Sequence, residues 1–238
     1  MNVLLDNFPE FRDGFIGTVS ITAVSSVIAL VLGVLIAGFR VSPVPPLRYF
    51  GTAWVTLLRN TPLTLLFLIF FFVVPEILFP GMSPFLLGSL ALGLYTSSFV
   101  CEAVRSGINT VPLGQAEAAR SIGMTFAQTL RMVILPQATR TVIPPLSSIF
   151  IALTKNSAIA GAFSVTELFG WQKLMSDRGY DIVPVFIWVA LGYLVVTFAI
   201  SGLFRLLERI NARLAQIQRL LRSRTTTLDR LLADTDAD

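Results

Sequence analysis

Five apolar stretches take up most of the chain, and each is long enough to cross about 30 Å of hydrocarbon as a helix. They run Phe15–Phe39, Pro62–Phe79, Pro84–Ala103, Val142–Phe163 and Ile182–Phe204. Apolar residues make up 54% of the sequence and charged ones 13%, where a soluble domain carries ~25% charge. A water-soluble core could not hide so much apolar side chain, so the bilayer is the expected solvent. Backbone amides in hydrocarbon must find partners within their own segment, and the chain reads as an all-α, polytopic membrane protein. A proline such as Pro75 is tolerable in a span, while Pro144-Pro145 at the start of the fourth predicts a kink or a break.

The gaps between spans carry their positive charge on alternate sides. Arg40, Arg48 and Arg59 lie between the first and second spans, with no acid. Arg105, Arg120, Arg131 and Arg140 lie between the third and fourth, against Glu117. Arg205, Arg209, Arg213, Arg219, Arg222, Arg224 and Arg230 follow the fifth. The remaining gaps hold only Arg12, Lys173 and Arg178, and Lys155 falls inside a span. The net charge of +4 therefore reads as topology and not as a face for nucleic acid. By the positive-inside rule the N-terminus is outside, and the C-terminus and residues 104–141 are cytoplasmic. The expected organisation is an external segment 1–14, a membrane domain 15–204 and a cytoplasmic tail 205–238. The opening MNVLLDNFPEFRDG is acidic and lacks the basic region of a signal peptide, so the first span is expected to remain as an anchor. In the tail, Leu206, Leu207, Ile210, Leu214, Ile217, Leu220 and Leu221 recur at helical spacing opposite arginines. That pattern predicts an amphipathic helix lying on anionic membrane lipids, in preference to one that binds a partner.

Several chemistries are excluded by what the sequence lacks. Cys101 is the one cysteine and there is no histidine. An intrachain disulfide is impossible, the usual ligands of a zinc or haem site are missing, and so is the usual general base of a hydrolytic triad. A phosphate-binding loop requires Gly-Lys-Ser/Thr, and neither Lys155 nor Lys173 follows a glycine. No metal, cofactor or enzymatic activity is expected.

Residues 117–136, EAARSIGMTFAQTLRMVILP, form a polar island in the largest internal loop. Glu117, Ala118, Ala119 and Arg120 favour a helix, Gly123 permits a left-handed turn, and Thr125 can cap a second helix running toward Leu135 and Pro136. Two readings follow, an ordinary surface loop that happens to be helical or a compact knob presented by two short helices.

The spacing Glu117-Ala118-Ala119, Gly123, Val133, Leu135-Pro136 resembles the cytoplasmic loop signature of permease subunits in ATP-binding-cassette importers, with Val133 where isoleucine is usual. LLRNTPLTLL (Leu57–Leu66), CEAVRSGINTVPLGQAEAARSIGM (Cys101–Met124) and LTKNSAIAGAFSVTELF (Leu153–Phe169) are similar to the polar amino-acid branch of that family. Asn60 stands where glycine is commoner, and Ala158 and Ile159 depart from the usual Ser-Leu. The resemblance spans about Gly14 to Phe204 and implies the type I importer permease fold. It implies that Glu117, Ala118, Ala119, Gly123, Leu135 and Pro136 belong to a coupling helix docked on an ATPase subunit. It also implies the partners: two ATP-binding subunits, a second permease subunit (itself or a relative) and an extracytoplasmic substrate-binding protein. The implied cargo is a polar amino acid, with glutamate, glutamine or aspartate first and basic amino acids as the alternative.

Lys155 lies deep in the fourth span, where an unpaired ammonium costs several kcal/mol. With Asn156 and Ser157 it could bind a substrate carboxylate at a break in the helix; otherwise it balances a buried acid or snorkels outward. Tyr95 and Ser98 belong to a polar face of the third span that either borders the substrate pathway or packs helices. Glu102 and Arg105, spaced i, i+3, are expected to pair, with a substrate role for Glu102 as the lesser reading. Arg59 reads as a headgroup or inter-subunit contact in preference to a substrate ligand. An ion-coupled carrier acting alone would call for internal repeats and intramembrane acids; five spans divide poorly into repeats, and the spans lack deep acids.

Overall fold

The computed structural model describes residues 2–78 and 80–235, with side chains from 3–78 and 80–213. Every regular element among these residues is a helix. A short α1 (Asn2–Asp6) leads into α2 (Phe8–Val41), which has a proline in its first turn. It stops where Ser42 turns extended ahead of Pro43, because the residue before a proline avoids the helical region. Next come α3 (Pro45–Asn60) and α4 (Leu63–Ile77), bent by 102° at the Thr61-Pro62 joint. α5 (Pro84–Asn109) starts at Ser83, whose hydroxyl accepts from Leu86 N–H at 3.3 Å. α6 (Leu113–Ser121), α7 (Phe126–Gly161), α8 (Leu168–Asp177) and α9 (Ile182–Thr235) complete the chain.

Helices α2, α5, α7 and the Ile182–Arg213 part of α9 are each long and apolar enough to cross a membrane, and the bent pair α3–α4 makes a fifth candidate. This pair departs from the expected second span, Pro62–Phe79. Helix α3 is a separate element in which Trp54, Val55 and Leu58 alternate with Arg48 and Arg59, and the apolar-run criterion passes over such an amphipathic helix. Helix α4 is built of six-, five- and four-residue pieces. At 1.5 Å per residue it reaches only about 22 Å, and Phe79 lies outside the described residues.

Two π turns interrupt the helical ladders, at Ile69–Val73 and Thr129–Ile134. Each contains the carbonyl four residues ahead of a proline, Pro75 or Pro136, which that proline has no N–H to satisfy. Of the kink or break expected at Pro144-Pro145, the break does not occur: the α-helix runs from Leu135 to Asn156 through both. Arg140 and Thr141, whose carbonyls lose their helical donors, are exposed, so solvent or headgroups can replace them. The ladder breaks instead at Ser157. Helix α9 passes Arg205 unbroken into the tail. Leu206, Leu207 and Ile210 are exposed. The side chains expected to continue that face, from Leu214 to Leu221, lie outside the described residues.

Lipid tails are as apolar as leucine, so spans associate through close packing and not through the hydrophobic effect. The α2–α5 pair uses small residues for this. A Cβ at Gly93 would come within 2.7 Å of Ile28, and the Ser25 hydroxyl donates to the Ser89 carbonyl at 3.1 Å. Helix α7 lies antiparallel to α5, with Val142 against Gly107. Ile21, Ala29, Phe67, Leu92, Val100 and Leu153 join these helices in one core. Outside it, Val27, Val31 and Leu35 of α2 and Ile187, Val195 and Phe198 of α9 are exposed, the apolar face that a bilayer covers.

Candidate functional site

The polar island folds into two short helical pieces meeting at Gly123. That glycine has φ +86°, a left-handed conformation that side chains resist. Met124 N–H donates to Ala119 O at 3.2 Å and Gly123 N–H to Arg120 O at 3.0 Å, the paired bonds of a Schellman stop. Thr125 then starts α7 with a capping box. Its hydroxyl accepts from Gln128 N–H at 3.3 Å, and its own N–H donates to Gln128 Oε1 at 2.8 Å. Ala119 and Thr129 are buried where α6 packs on the π turn. Glu117, Ala118 and Pro136 are exposed, as are the apolar Leu113, Ile122 and Met132; Leu135 is half-buried. Among the described residues, none covers these exposed side chains of the knob.

From the knob, α7 climbs alongside α5 to a cavity of about 230 Å³. Tyr95, Thr96 and Phe99 of α5 wall it on one side, and Ser148, Ala152 and Asn156 of α7 are among the residues on the other. Tyr95 lies about 16 Å along α5 from Pro84 and about 21 Å from Asn109, near the middle of the span. The expected polar residues divide here. Tyr95 and Asn156 line the cavity. Lys155 is exposed beside it and is not among the lining residues. The Ser98 hydroxyl donates to Tyr95 O at 2.7 Å, and the Ser157 hydroxyl donates to Thr154 O at 2.7 Å. Both serines are buried and spend their donors within their own helices.

One helical turn below Phe99, Glu102 gathers three arginines. Arg105 donates to Oε2 through Nε at 3.2 Å and through a terminal nitrogen at 3.0 Å, forming the expected i, i+3 pair. Arg40, from the end of α2, donates to Oε1. Arg59, from the end of α3, lies 3.9 Å from the same oxygen, with its guanidinium 5.3 Å from the Phe99 ring centre. Arg40 and Arg59 stand 62 and 43 positions before Glu102, a separation that no sequence spacing could bridge.

The opposite end of the bundle holds a fully buried carboxylate that sequence reasoning passed over. Glu167 caps α8, accepting from Gly170 N–H at 2.6 Å, and the Tyr193 hydroxyl of α9 donates to its other oxygen. Its neighbour Leu168 donates its N–H to Thr18 Oγ1 of α2 at 3.0 Å, so this corner ties three helices together. Burial pushes the Glu167 carboxyl above the usual carboxylate range, against the bonds from Tyr193, Phe169 and Gly170 that favour its charged form. The signal was an acid set among Val165, Leu168 and Phe169 at a helix start.

Comparison with known proteins agrees with this architecture. The sequence profile of binding-protein-dependent transport system inner membrane components matches residues 29–211. A probable glutamine ABC transporter permease, GlnM of Bacillus subtilis strain 168, is 41% identical over 84% of this chain and 93% of its own. The glutamate transport permease GluC of Corynebacterium glutamicum is 40% identical over 85% and 94%. The glutamate/aspartate import permease GltJ of Escherichia coli K12 is 33% identical over 82% and 85%. A crystal structure of an amino acid ABC transporter with histidines superposes with TM-score 0.78 at 31% identity, covering 87% of this chain and 96% of that one. The inward-facing MetNI methionine ABC transporter superposes with TM-score 0.73 at 22% identity, covering 84% and 95%, a likeness of fold alone.

Proposed function

The chain belongs to the family of binding-protein-dependent transport system inner membrane components, and from that membership we propose that it is the membrane-spanning subunit of an ATP-driven importer for polar amino acids. Glutamate, glutamine or aspartate is the favoured cargo, in line with the similarity to permeases described for glutamine and glutamate. Basic amino acids are the second reading, favoured by the likeness to the transporter solved with histidines. The energy comes from two ATP-binding subunits. A second permease subunit completes the pathway, and a binding protein delivers the cargo from outside.

In this reading the arginine-rich end, with the knob, faces the cytoplasm, and the Glu167 corner faces outward. The observation that carries the proposal is the exposed, doubly capped knob at the foot of α7. The helix spans about 30 Å from Pro136 to Asn156, joining the knob to the wall of the cavity. Closing of the ATPase dimer would move the knob, and α7 would pass that movement to the cavity. ATP and the loaded binding protein must each bind one orientation better than the other, since a ligand with equal affinity for both shifts nothing.

The test is to change the knob without touching the spans. Gly123→Pro cannot hold φ +86° with a ring that fixes φ near −65°, and Glu117→Lys reverses an exposed charge. Both variants are expected to insert and assemble but to abolish uptake. Their ATP hydrolysis should no longer respond to loaded binding protein. Normal uptake by both would reduce the knob to a connector.

A further inference from the structure

Arg59 is held unlike the other two arginines around Glu102. Arg40 and Arg105 hydrogen-bond the carboxylate oxygens directly. Arg59 makes no hydrogen bond among the described residues. Its ion pair with Glu102 spans 3.9 Å to an oxygen already taken by Arg40, and its side chain is 46% exposed. A guanidinium offers five N–H donors in a fork matched to carboxylates, so this fork is unfilled. Three guanidiniums around one carboxylate also leave the cluster with an excess of positive charge.

The unfilled fork stands at the edge of the mid-span cavity. Phe99 carries the Arg59 guanidinium on its face and, with Tyr95 and Asn156, lines that cavity. Arg59 lies in the last turn of α3, three residues before Pro62 at the joint where the chain turns by 102°, so a small rotation there can carry the guanidinium from Glu102 toward the cavity. We propose that Arg59 receives the α-carboxylate of the amino acid in this cavity, exchanging its long contact with Glu102 for a two-pronged pair. The proposal rests on the amino-acid permease reading and adds to it the group that is recognised. Every α-amino acid carries that carboxylate, so Arg59 holds the common part of the cargo, while Asn156 and the Tyr95 hydroxyl are left to meet the amine or the side chain.

The test uses the complete importer, both permeases and both ATPases, in lipid nanodiscs without its binding protein. L-glutamine, L-glutamate and L-arginine are each compared with their α-carboxamides, which keep the side chain but lose the α-carboxylate charge. The wild-type complex should bind its preferred free amino acid about tenfold or more tightly than the amide, the size of a charge-assisted pair. Arg59→Gln should remove that preference by weakening the free acid alone. Arg59→Lys, which keeps the charge but not the fork, should reduce it part of the way and serves if the glutamine variant fails to assemble. A preference unchanged in both variants, or equal weakening of acid and amide, overturns the proposal. An effect that follows phosphatidylglycerol content instead of the α-carboxylate would also overturn it, making Arg59 a headgroup contact. If the wild type binds no amino acid at all, the permease reading itself falls, a result distinct from any failure of Arg59.

Discussion

Removing the Glu102 carboxylate should release its arginines in a definite order of cost. The Arg40 side chain is only 14% exposed and that of Glu102 24%, so Arg40 has little solvent to replace its partner. Arg105 is 36% exposed and Arg59 46%; water and headgroups can serve both. Glu102→Ala therefore strands one largely buried guanidinium, at about 3–5 kcal/mol, the range for breaking a buried pair on one side. Glu102→Gln keeps the volume and one acceptor, and should cost about 1.5–3 kcal/mol, the worth of hydrogen bonds to a charged group. Arg105→Gln and Arg59→Gln remove partly solvated pairs, worth about 0.2–1 kcal/mol each. At roughly 2–4 °C per kcal/mol for a chain of this size, Glu102→Ala should lower the unfolding midpoint by about 6–20 °C. The two exposed arginine variants should stay within a few degrees of wild type. The assay is thermal unfolding of the purified complex, read by tryptophan fluorescence, with membrane abundance measured in parallel. Adding Arg40→Gln to Glu102→Ala should cost less than the two changes summed, because the second removes a charge already stranded. If Arg59→Gln or Arg105→Gln destabilises more than Arg40→Gln, or if the double change is additive, burial does not govern this cluster.

With Cys101 replaced, a cysteine at Asp181, an exposed position between α8 and α9, should react with an impermeant thiol reagent added outside intact cells, and one at Gln115 only after the membrane is opened. The reverse pattern would invert the orientation and everything placed by it. Glu167 should make stability depend on pH. Its folded-state pKa is raised by burial, so the native state holds the proton more tightly than the unfolded chain. Its contribution is then fully present below the unfolded value and is lost as pH rises through the folded one. Unfolding midpoints measured across mildly acidic to neutral pH should fall with rising pH in the wild type and flatten in Glu167→Gln; parallel slopes in the two proteins would assign the dependence elsewhere.

The fold was legible wherever a single local rule dominated. Apolar length located α2, α5, α7 and the membrane part of α9, but it matched only half of their ends closely: the start of α7, where the polar knob leads in, lies far ahead of Val142, and α2, α5 and α9 each run on past one expected end. Glycine at 123 and threonine at 125 foretold the knob's turn and cap, because both effects act within one helical turn. Legibility failed where two local rules competed. Pro144-Pro145 reads as a break only if the freed carbonyls are costly, and Arg140 and Thr141, which carry them, are exposed residues. Helix α3 escaped notice because its arginines interrupt the apolar run that identifies a span, although they suit an element lying partly against polar surroundings.

The polar clusters were less legible for a different reason: they are assembled across sequence distance. The i, i+3 rule finds Arg105 for Glu102 but is blind to Arg40 and Arg59, which arrive from the ends of two other helices. The same limit hid Glu167, whose partners Tyr193 and Thr18 are supplied by α9 and α2. It also directed attention to Lys155, since a charge inside an apolar run is conspicuous in sequence whether or not it faces the pathway. In the structure the neighbouring Asn156 faces the cavity and Lys155 is exposed. The cation separated from that cavity by one aromatic ring is Arg59, at a helix end where sequence reading expects a headgroup. A charge at the end of a helix is unremarkable until its neighbours in space are known, and here the packing of α3 on α5 brings Arg59, still 46% exposed, to 3.9 Å from Glu102 and onto the face of Phe99.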